Sequence, residues 1–320
     1  MGDHVQMIKK IGEGSTGAVY YGSCVKAKKK LAVKVVRKVD STKGRRTTER
    51  ARSEAAIMAE LVHKHICKCY GIVENPDHVF LLLQFAKGGD LLDRINKHGA
   101  FSEREARRVF QQLVLAVSYL HNKGYIHRDI KPENVFLDES GNVLLGDFGF
   151  ATAWSPDVHQ TESVGTFPYA APELLLGHGY CGPEVDLFSL GTVLLAMLSA
   201  TIPFKADSEE ESFKKVQLGD FKSDVPISVS PSAVDLLTRL LDPNPKTRIT
   251  MTQLCQHPWM KMRPKTASSS SPNSKSATVG ASPSQSSSSN GPLSFFAATK
   301  KRLMREFNST SVPIPVSASR

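Results

Sequence analysis

The run IGEGSTGAVY, residues 11–20, limits the possible folds more than any other stretch. Gly12, Gly14 and Gly17 form a G-x-G-x-x-G pattern, which arises in unrelated ways. It can open a helix whose N-terminus receives a dinucleotide pyrophosphate. It can turn a hairpin whose backbone lies across phosphates, because glycine has no side chain in the way. It can also be an accident of loop composition. The flanks separate these. MIKKI precedes the glycines and AVYYG follows, and both are strand material. Asp40, 23 residues after Gly17, could stand as a ribose-binding acid, but no helix separates it from the glycines. No Gly-Lys-Ser/Thr closes the loop, which removes a P-loop. Strand, glycine loop, strand remains.

Further strand-prone runs follow up to about residue 85: LAVKVVRK, CKCYGIV and HVFLLLQF. One stretch among them, TTERARSEAAIMAELVHK, is helical in pattern, with Ile57, Met58 and Leu61 at helical spacing. Beyond Gly88 the pattern turns helical. FSEREARRVFQQLVLAVSYLHNKG carries a capping box at Ser102 and Glu105, a stop at Gly124, and an apolar stripe at 109, 110, 113, 117 and 120. The expected class is α+β: a small lobe of antiparallel strands with one helix (1–86), then a larger, mainly helical lobe (87–263). Composition changes after HPWMKMR: 17 of the 57 residues from 264 to 320 are Ser, too little apolar surface to offset chain entropy. A disordered tail is expected there, interrupted by LSFFAATKKRLMREF (293–307), which reads as a short basic amphipathic helix.

The net charge of +10 is concentrated in that tail, which holds seven Lys/Arg and one Asp/Glu. Nucleic-acid binding by the folded part is therefore not indicated. The most apolar run, VDLFSLGTVLLAMLSA, is too short to span a bilayer and contains Asp186, so it reads as a buried core helix. The N-terminus lacks a secretory apolar stretch, and Gln6 breaks the myristoylation pattern. Five cysteines form no paired framework, and Cys67 and Cys69 are too few for a metal site. Reduced thiols in a cytoplasmic or nuclear protein are expected. A monomer is the expected state.

The glycine run is followed in order by LAVK, IHRDIKPEN at 126–134, DFG at 147–149 and APE at 171–173. With these motifs, residues 4 to about 262 resemble a eukaryotic protein kinase domain from end to end. Lys131, two residues after Asp129, is similar to the serine/threonine class. GTFPYAAPELL, VLLAMLS and DPNPKTRIT…HPWM resemble the calcium/calmodulin-dependent kinase group, nearest its checkpoint-kinase and AMP-activated-type members.

The resemblance implies MgATP as cosubstrate, protein substrates, and a set of roles. The glycine loop Ile11, Gly12, Glu13, Gly14, Ser15, Thr16 and Gly17 covers the phosphates. Lys34 grips them and is held by a helix carboxylate. Glu49, Glu54 and Glu60 compete for that part, and Glu54 fits best because Ile57, Leu61 and His63 follow it as in the family. Asp147 holds magnesium and Asn134 a second ion. Asp129 takes the acceptor proton, and Lys131 neutralises the γ-phosphate. Val19 and Ala32 lie above the adenine and Phe136 beneath it. Leu83 is the gatekeeper, and Gln84 to Ala86 form the hinge. Glu173 pairs with Arg248, and Asp186 bonds the catalytic-loop backbone, with Phe188 where the family commonly has Trp.

Three features set this chain apart or tune it. Phe136 is larger than the usual aliphatic residue and is expected to narrow the pocket. It alone supports the alternative of a catalytically impaired scaffold, since Lys34, Asp129, Asn134 and Asp147 are intact. Many relatives phosphorylate a Thr three residues before the Gly of GT, where this chain has Glu162. A carboxylate there is expected to pair with Arg128 and give basal activity; the competing possibility is phosphorylation of Thr161 or Ser163 in a shifted register. Asp90, at the rim of the nucleotide site, and Glu133 line the groove for residues before the acceptor. Together they imply one substrate Arg about three positions upstream. For the tail, docking onto the domain or onto a regulator such as calmodulin is expected. Ser-Pro pairs at Ser155, Ser230, Ser271 and Ser282 are candidate phosphorylation sites, Ser230 and Ser155 being explained as well by turn chemistry.

Overall fold

Why the glycine run turns a hairpin is a matter of crowding. In a computed structural model that describes residues 5–14, 17–24, 28–39, 41–177, 179–180 and 182–262, Val5–Gly14 (β1) and Gly17–Cys24 (β2) pair antiparallel, with Gly14 opposite Gly17. A Cβ at Gly17 would lie 2.1 Å from the Val35 carbonyl oxygen, so only glycine lets β2 meet its neighbour. That neighbour is Lys29–Arg37 (β3), and with Cys69–Glu74 (β4) and His78–Gln84 (β5) it completes a five-stranded antiparallel sheet in the order β1-β2-β3-β5-β4. No helix follows the glycines, and the dinucleotide topology falls away.

The small lobe's helix, Thr42–Glu60 (α1), starts five residues before the sequence pattern predicts. The Ser41 hydroxyl accepts the Gly44 N–H at 3.1 Å, so a polar cap, not apolar periodicity, sets its beginning. It also ends earlier than predicted, at Glu60. Ala51 and Ala55 pack on Val36, Val79 and Leu81 of the sheet, while Ile57, Met58 and Leu61 belong to the core of the large lobe. One helix thus has its two ends in two cores.

The large lobe contains Leu91–His98 (α2), Glu103–Asn122 (α3), Tyr125–Ile126 (β6), Val135–Leu137 (β7), Val143–Leu145 (β8), Thr152–Ala153 (β9), Pro172–Leu176 (α4), Glu184–Ser199 (α5), Glu209–Leu218 (α6), Pro231–Leu240 (α7), Met251–Gln256 (α8) and Pro258–Lys261 (α9). The capping box at Ser102 and Glu105 forms, and the predicted stripe Val109, Phe110, Leu113, Val117 and Leu120 is buried. The apolar run beginning at Val185 is the buried helix α5; no helix among the described residues is long and apolar enough to cross a membrane. Ser230 caps α7 and donates to Glu103 at 2.9 Å, so its Ser-Pro pair has a structural use. The stretch 293–307 and the rest of 264–320 lie outside the described residues.

Behind α4, Arg248 and Glu173 meet through two hydrogen bonds, 2.7 and 3.1 Å, with the guanidinium fully buried over the Phe188 ring. Phe188, standing where the family commonly has Trp, thus supplies the aromatic face beneath this pair. Removing one partner of a buried pair leaves an uncompensated charge. Glu173→Ala is expected to cost about 3–5 kcal/mol in denaturant midpoint analysis. Arg239→Ala, which breaks an exposed pair with Asp235, is expected to cost no more than about 0.5 kcal/mol.

Candidate active site

Both lobes send charge into the space between them. Lys34, at the middle of β3, is buried, and its ammonium donates to both oxygens of Glu54 at 2.8 and 3.0 Å and to Asp147 Oδ1 at 2.8 Å. Of the three competing glutamates, burial selects Glu54. Glu49 is exposed, and Glu60 accepts a hydrogen bond from the Tyr125 hydroxyl at 2.9 Å. Burial alone would push the Lys34 ammonium down, but the charges of Glu54 and Asp147 outweigh it and hold it above its ordinary value. Burial would likewise raise Asp147, yet the Lys34 charge and hydrogen bond bring it down to about 2. Asp147 is therefore ionised at any working pH.

A second cluster lies on the loop after β6. Lys131 donates to Asp129 Oδ2 at 2.6 Å and to the Thr166 hydroxyl at 2.7 Å, and that hydroxyl donates to Asp129 Oδ1 at 2.7 Å. Asn134 adds its side-chain amide to Asp129 Oδ2 at 3.0 Å and to the Asp129 carbonyl at 2.8 Å. The loop hangs from Asp186 of α5, whose carboxylate accepts the backbone N–H of His127 and of Arg128, both at 2.9 Å, and lies 2.8 Å from His121 Nε2. His127 Nε2 reaches the Gly146 carbonyl at 3.1 Å and its ring meets Phe148, which ties the two clusters together.

The remaining predicted residues surround these. Gly12, Glu13 and Gly14 oppose Val19, Ala18 and Gly17 in the hairpin, and Ile11 is exposed on β1. Ser15 and Thr16 lie outside the described residues. Val19 is paired with Lys34, and Ala32 with Leu83. The Gln84 N–H is taken by the Lys68 carbonyl, while its own carbonyl accepts a thiol contact from Cys67 at 3.5 Å. Ala86 follows β5, and Asp90 caps α2, accepting the Asp93 N–H at 2.7 Å, and forms a bridge with Phe136. Glu133 has an oxygen, Oε2, that is buried and without a hydrogen-bond partner among the described residues.

Phe136 fits without crowding for a reason the sequence did not reveal. Its ring rests on Gly146: a Cβ there would stand 2.8 Å from Cε2 and 3.0 Å from Cδ2. The bulk added at one position is balanced by bulk missing at the other.

Whether the residues suit magnesium can be judged from their chemistry. Asp147 is ionised with one oxygen on Lys34, and Asn134 uses its amide nitrogen on Asp129, leaving its oxygen as an acceptor. No group of three or more His, Cys, Asp or Glu among the described residues is arranged around a metal. Magnesium is commonly held by one or two carboxylates with substrate phosphates and water completing the shell, and the pair fits that use.

Residues 5–260 match the family model described as the protein kinase domain. The chain belongs to the protein kinase family. The kinase domain is 38% identical over 259 residues to a CBL-interacting protein kinase of Oryza sativa subsp. japonica, covering 80% of this chain and 63% of that protein. It is 36% identical over 259 residues to the maternal embryonic leucine zipper kinase of Xenopus tropicalis, and 38% over 256 residues to the carbon catabolite-derepressing protein kinase of Candida tropicalis. Each of these covers 80% of this chain, but 39% and 41% of the relative, so the kinase domain spans well under half of those two proteins. It belongs to the calcium/calmodulin-dependent kinase group of serine/threonine kinases.

Sequence reasoning missed four neighbours in this kinase site. The Thr166 hydroxyl bonds Asp129 itself. Tyr180, Arg50 and Gly146 carried no motif signal. The expected Glu162–Arg128 pair is present at 3.1 Å, and Arg50 of α1 joins it at 2.6 Å.

The Phe136–Gly146 fit makes a stability prediction. Gly146→Ala overpacks the site and is expected to cost about 1–3 kcal/mol in thermal denaturation. Phe136→Leu in the same chain is expected to recover most of that loss. Equal losses with and without Phe136→Leu would mean that the ring is not what Gly146 accommodates.

Proposed function

We propose that the protein transfers the γ-phosphate of ATP to serine or threonine hydroxyls of protein substrates and favours an arginine about three positions before the acceptor. The observation that carries the reading is Lys34 held by Glu54 and Asp147 opposite the Asp129–Lys131–Thr166 cluster. In this reading the glycine hairpin lies over the triphosphate and Lys34 holds it. The acceptor hydroxyl attacks the γ-phosphorus as its proton passes to Asp129, the bond to the bridging oxygen breaks, and ADP leaves with that electron pair. Lys131 offsets the charge of the transferring group. Asp147 and Asn134 would hold magnesium, which supplies charge neutralisation on the phosphates. Val19, Ala32, Leu83, Gln84, Ala86 and Phe136 would enclose the adenine, its edge meeting the hinge backbone.

Purified full chain with MgATP and a serine peptide carrying one upstream Arg is expected to give phosphopeptide by mass spectrometry. Asp147→Ala is expected to reduce the rate by at least about 10²–10³-fold. Intact ATP binding with no transfer by the unaltered chain would favour the impaired-scaffold alternative, and a preference for Pro after the acceptor would refute the arginine reading. The basic stretch 293–307 belongs to the same proposal as a segment that docks on the domain or on calmodulin. The assay repeated with calcium and calmodulin tests it, and truncation at Ser270 leaving rate and calmodulin response unchanged would dispose of it.

The substrate groove has its own pH signature. Burial, with the nearby charges of Asp93 and Glu133, lifts the Asp90 carboxyl to about 6 against the hydrogen bond from the Asp93 backbone. Above that pH it is ionised and attracts a guanidinium; below, it is neutral. The kcat/KM advantage of an Arg peptide over its Ala counterpart is expected to shrink as pH falls from about 7.5 to 5.5. A ratio constant across that range would remove Asp90 from arginine recognition.

A further inference from the structure

Arg128 is a guanidinium almost out of water, its side chain 6% exposed. Its Nε donates to the Phe150 carbonyl at 2.7 Å and Nη1 to the Tyr180 hydroxyl at 2.8 Å. Those partners are neutral. Among the described residues the side-chain carboxylate that balances its charge is Glu162, at 3.1 Å from Nη2. A buried cation left without such a partner is strongly destabilised, so the position of Glu162 is tied to a group that needs it.

Glu162 is held from the other side as well. Its second oxygen accepts from Arg50 Nη2 at 2.6 Å, and the Arg50 guanidinium sits 5.0 Å from the centre of the Phe150 ring. The backbone of the segment is pinned at the same place. The Tyr180 hydroxyl donates to the Glu162 carbonyl at 3.0 Å, Gln160 and Tyr180 exchange backbone hydrogen bonds, and the Ser163 hydroxyl donates to the Leu175 carbonyl. One carboxylate therefore joins three elements: the segment after Asp147, the loop that carries Asp129 immediately after Arg128, and α1. Arg50 stands four residues, about one turn, before Glu54 on α1.

We propose that Glu162 is a permanent charge latch, holding the segment between Asp147 and Pro172 in its working position without covalent modification, and that Arg50 is the positioning residue that extends the latch to α1 and so to the Glu54–Lys34 pair. The proposal rests on the kinase reading above and specifies its regulation. The two arms differ in kind. The Arg128 arm is mostly buried, whereas Arg50 and Glu162 are 41% and 49% exposed, so the Arg50 arm is the one that salt screens.

The test uses the full chain as isolated and after phosphatase treatment, with mass spectrometry confirming that residues 147–173 carry no phosphate. The phosphate-free chain is expected to retain its rate on the Arg-containing serine peptide. Arg50→Gln is expected to lower kcat by about 2–5-fold with an unchanged melting temperature, as for a half-exposed pair. Glu162→Gln, which strands Arg128, is expected to lower it by about tenfold or more. In the Glu162→Gln background, Arg50→Gln is expected to change nothing further, because its partner is already gone. Raising salt from about 0.05 to 0.5 M is expected to slow the unaltered chain more than Arg50→Gln.

Transfer by the isolated chain that disappears with its phosphates, or that follows phosphate on Thr161 or Ser163, overturns the latch and leaves the kinase reading intact. Full activity of Glu162→Gln, or equal losses from Arg50→Gln with and without Glu162, overturns it as well. No transfer by either preparation overturns the kinase reading and the latch with it. Should Glu162→Gln fail to fold, Arg50→Gln and the salt response still decide, since Arg50 lies on the solvent side of the pair.

Discussion

One ammonium group holds the two halves of this domain in a common geometry. Lys34 reaches from the sheet to a helix carboxylate on one side and to the Asp-Phe-Gly segment on the other, with distances of 2.8–3.0 Å. A buried ammonium is tolerated only when its charge is compensated, so the partners are compelled to stay close. α1 is fixed in angle by Glu54, and its lower end is fixed by Ile57, Met58 and Leu61 in the large-lobe core. The placement of Asp147 follows from the same cation. Its main chain there has φ 54°, a left-handed conformation that costs a non-glycine residue about 1–3 kcal/mol and persists only where surrounding contacts dictate it.

Arg128 repeats this pattern on the catalytic loop, with φ 66°. Asp186, wholly buried in α5, accepts two consecutive backbone N–H groups there and keeps the strained turn closed. Burial would raise its carboxyl, yet the bond from His121 and the charges of His121 and His127 hold it below its ordinary value. The loop is thus suspended from a rigid helix, and its functional side chains project from a backbone that has little freedom to drift.

Much of this was legible in the residues. The order of the motifs implied the fold, the capping box and the stripe on α3 placed that helix, and Lys34, Asp129, Asn134 and Asp147, singled out from the motifs, lie in the two charged clusters between the lobes. What escaped notice depends on pairs far apart in the chain and on shape. Nothing local in TTERAR shows that Arg50 meets a carboxylate 112 residues later. The choice among Glu49, Glu54 and Glu60 is a matter of which face of α1 is turned inward, and motif spacing favoured the right one without showing the burial that enforces it. The contact of the Phe136 ring with Gly146 joins residues ten apart that no motif pairs, and it is seen only when the ring is placed against the glycine. The start of α1 was misjudged for a different reason: Ser41 caps a polar first turn that has no apolar periodicity to announce it.

The charges gathered between the lobes nearly cancel one another. Two ammonium groups, Lys34 and Lys131, face three carboxylates, Glu54, Asp129 and Asp147, all joined by contacts of 3.0 Å or less. Such a basin offers a polyanion little net attraction, since each cation is already satisfied by an acid at its side. A triphosphate entering by itself would bring more negative charge than the lysines have left to answer. In the proposed kinase reading, cations arriving with the nucleotide would supply the positive charge that these two lysines cannot.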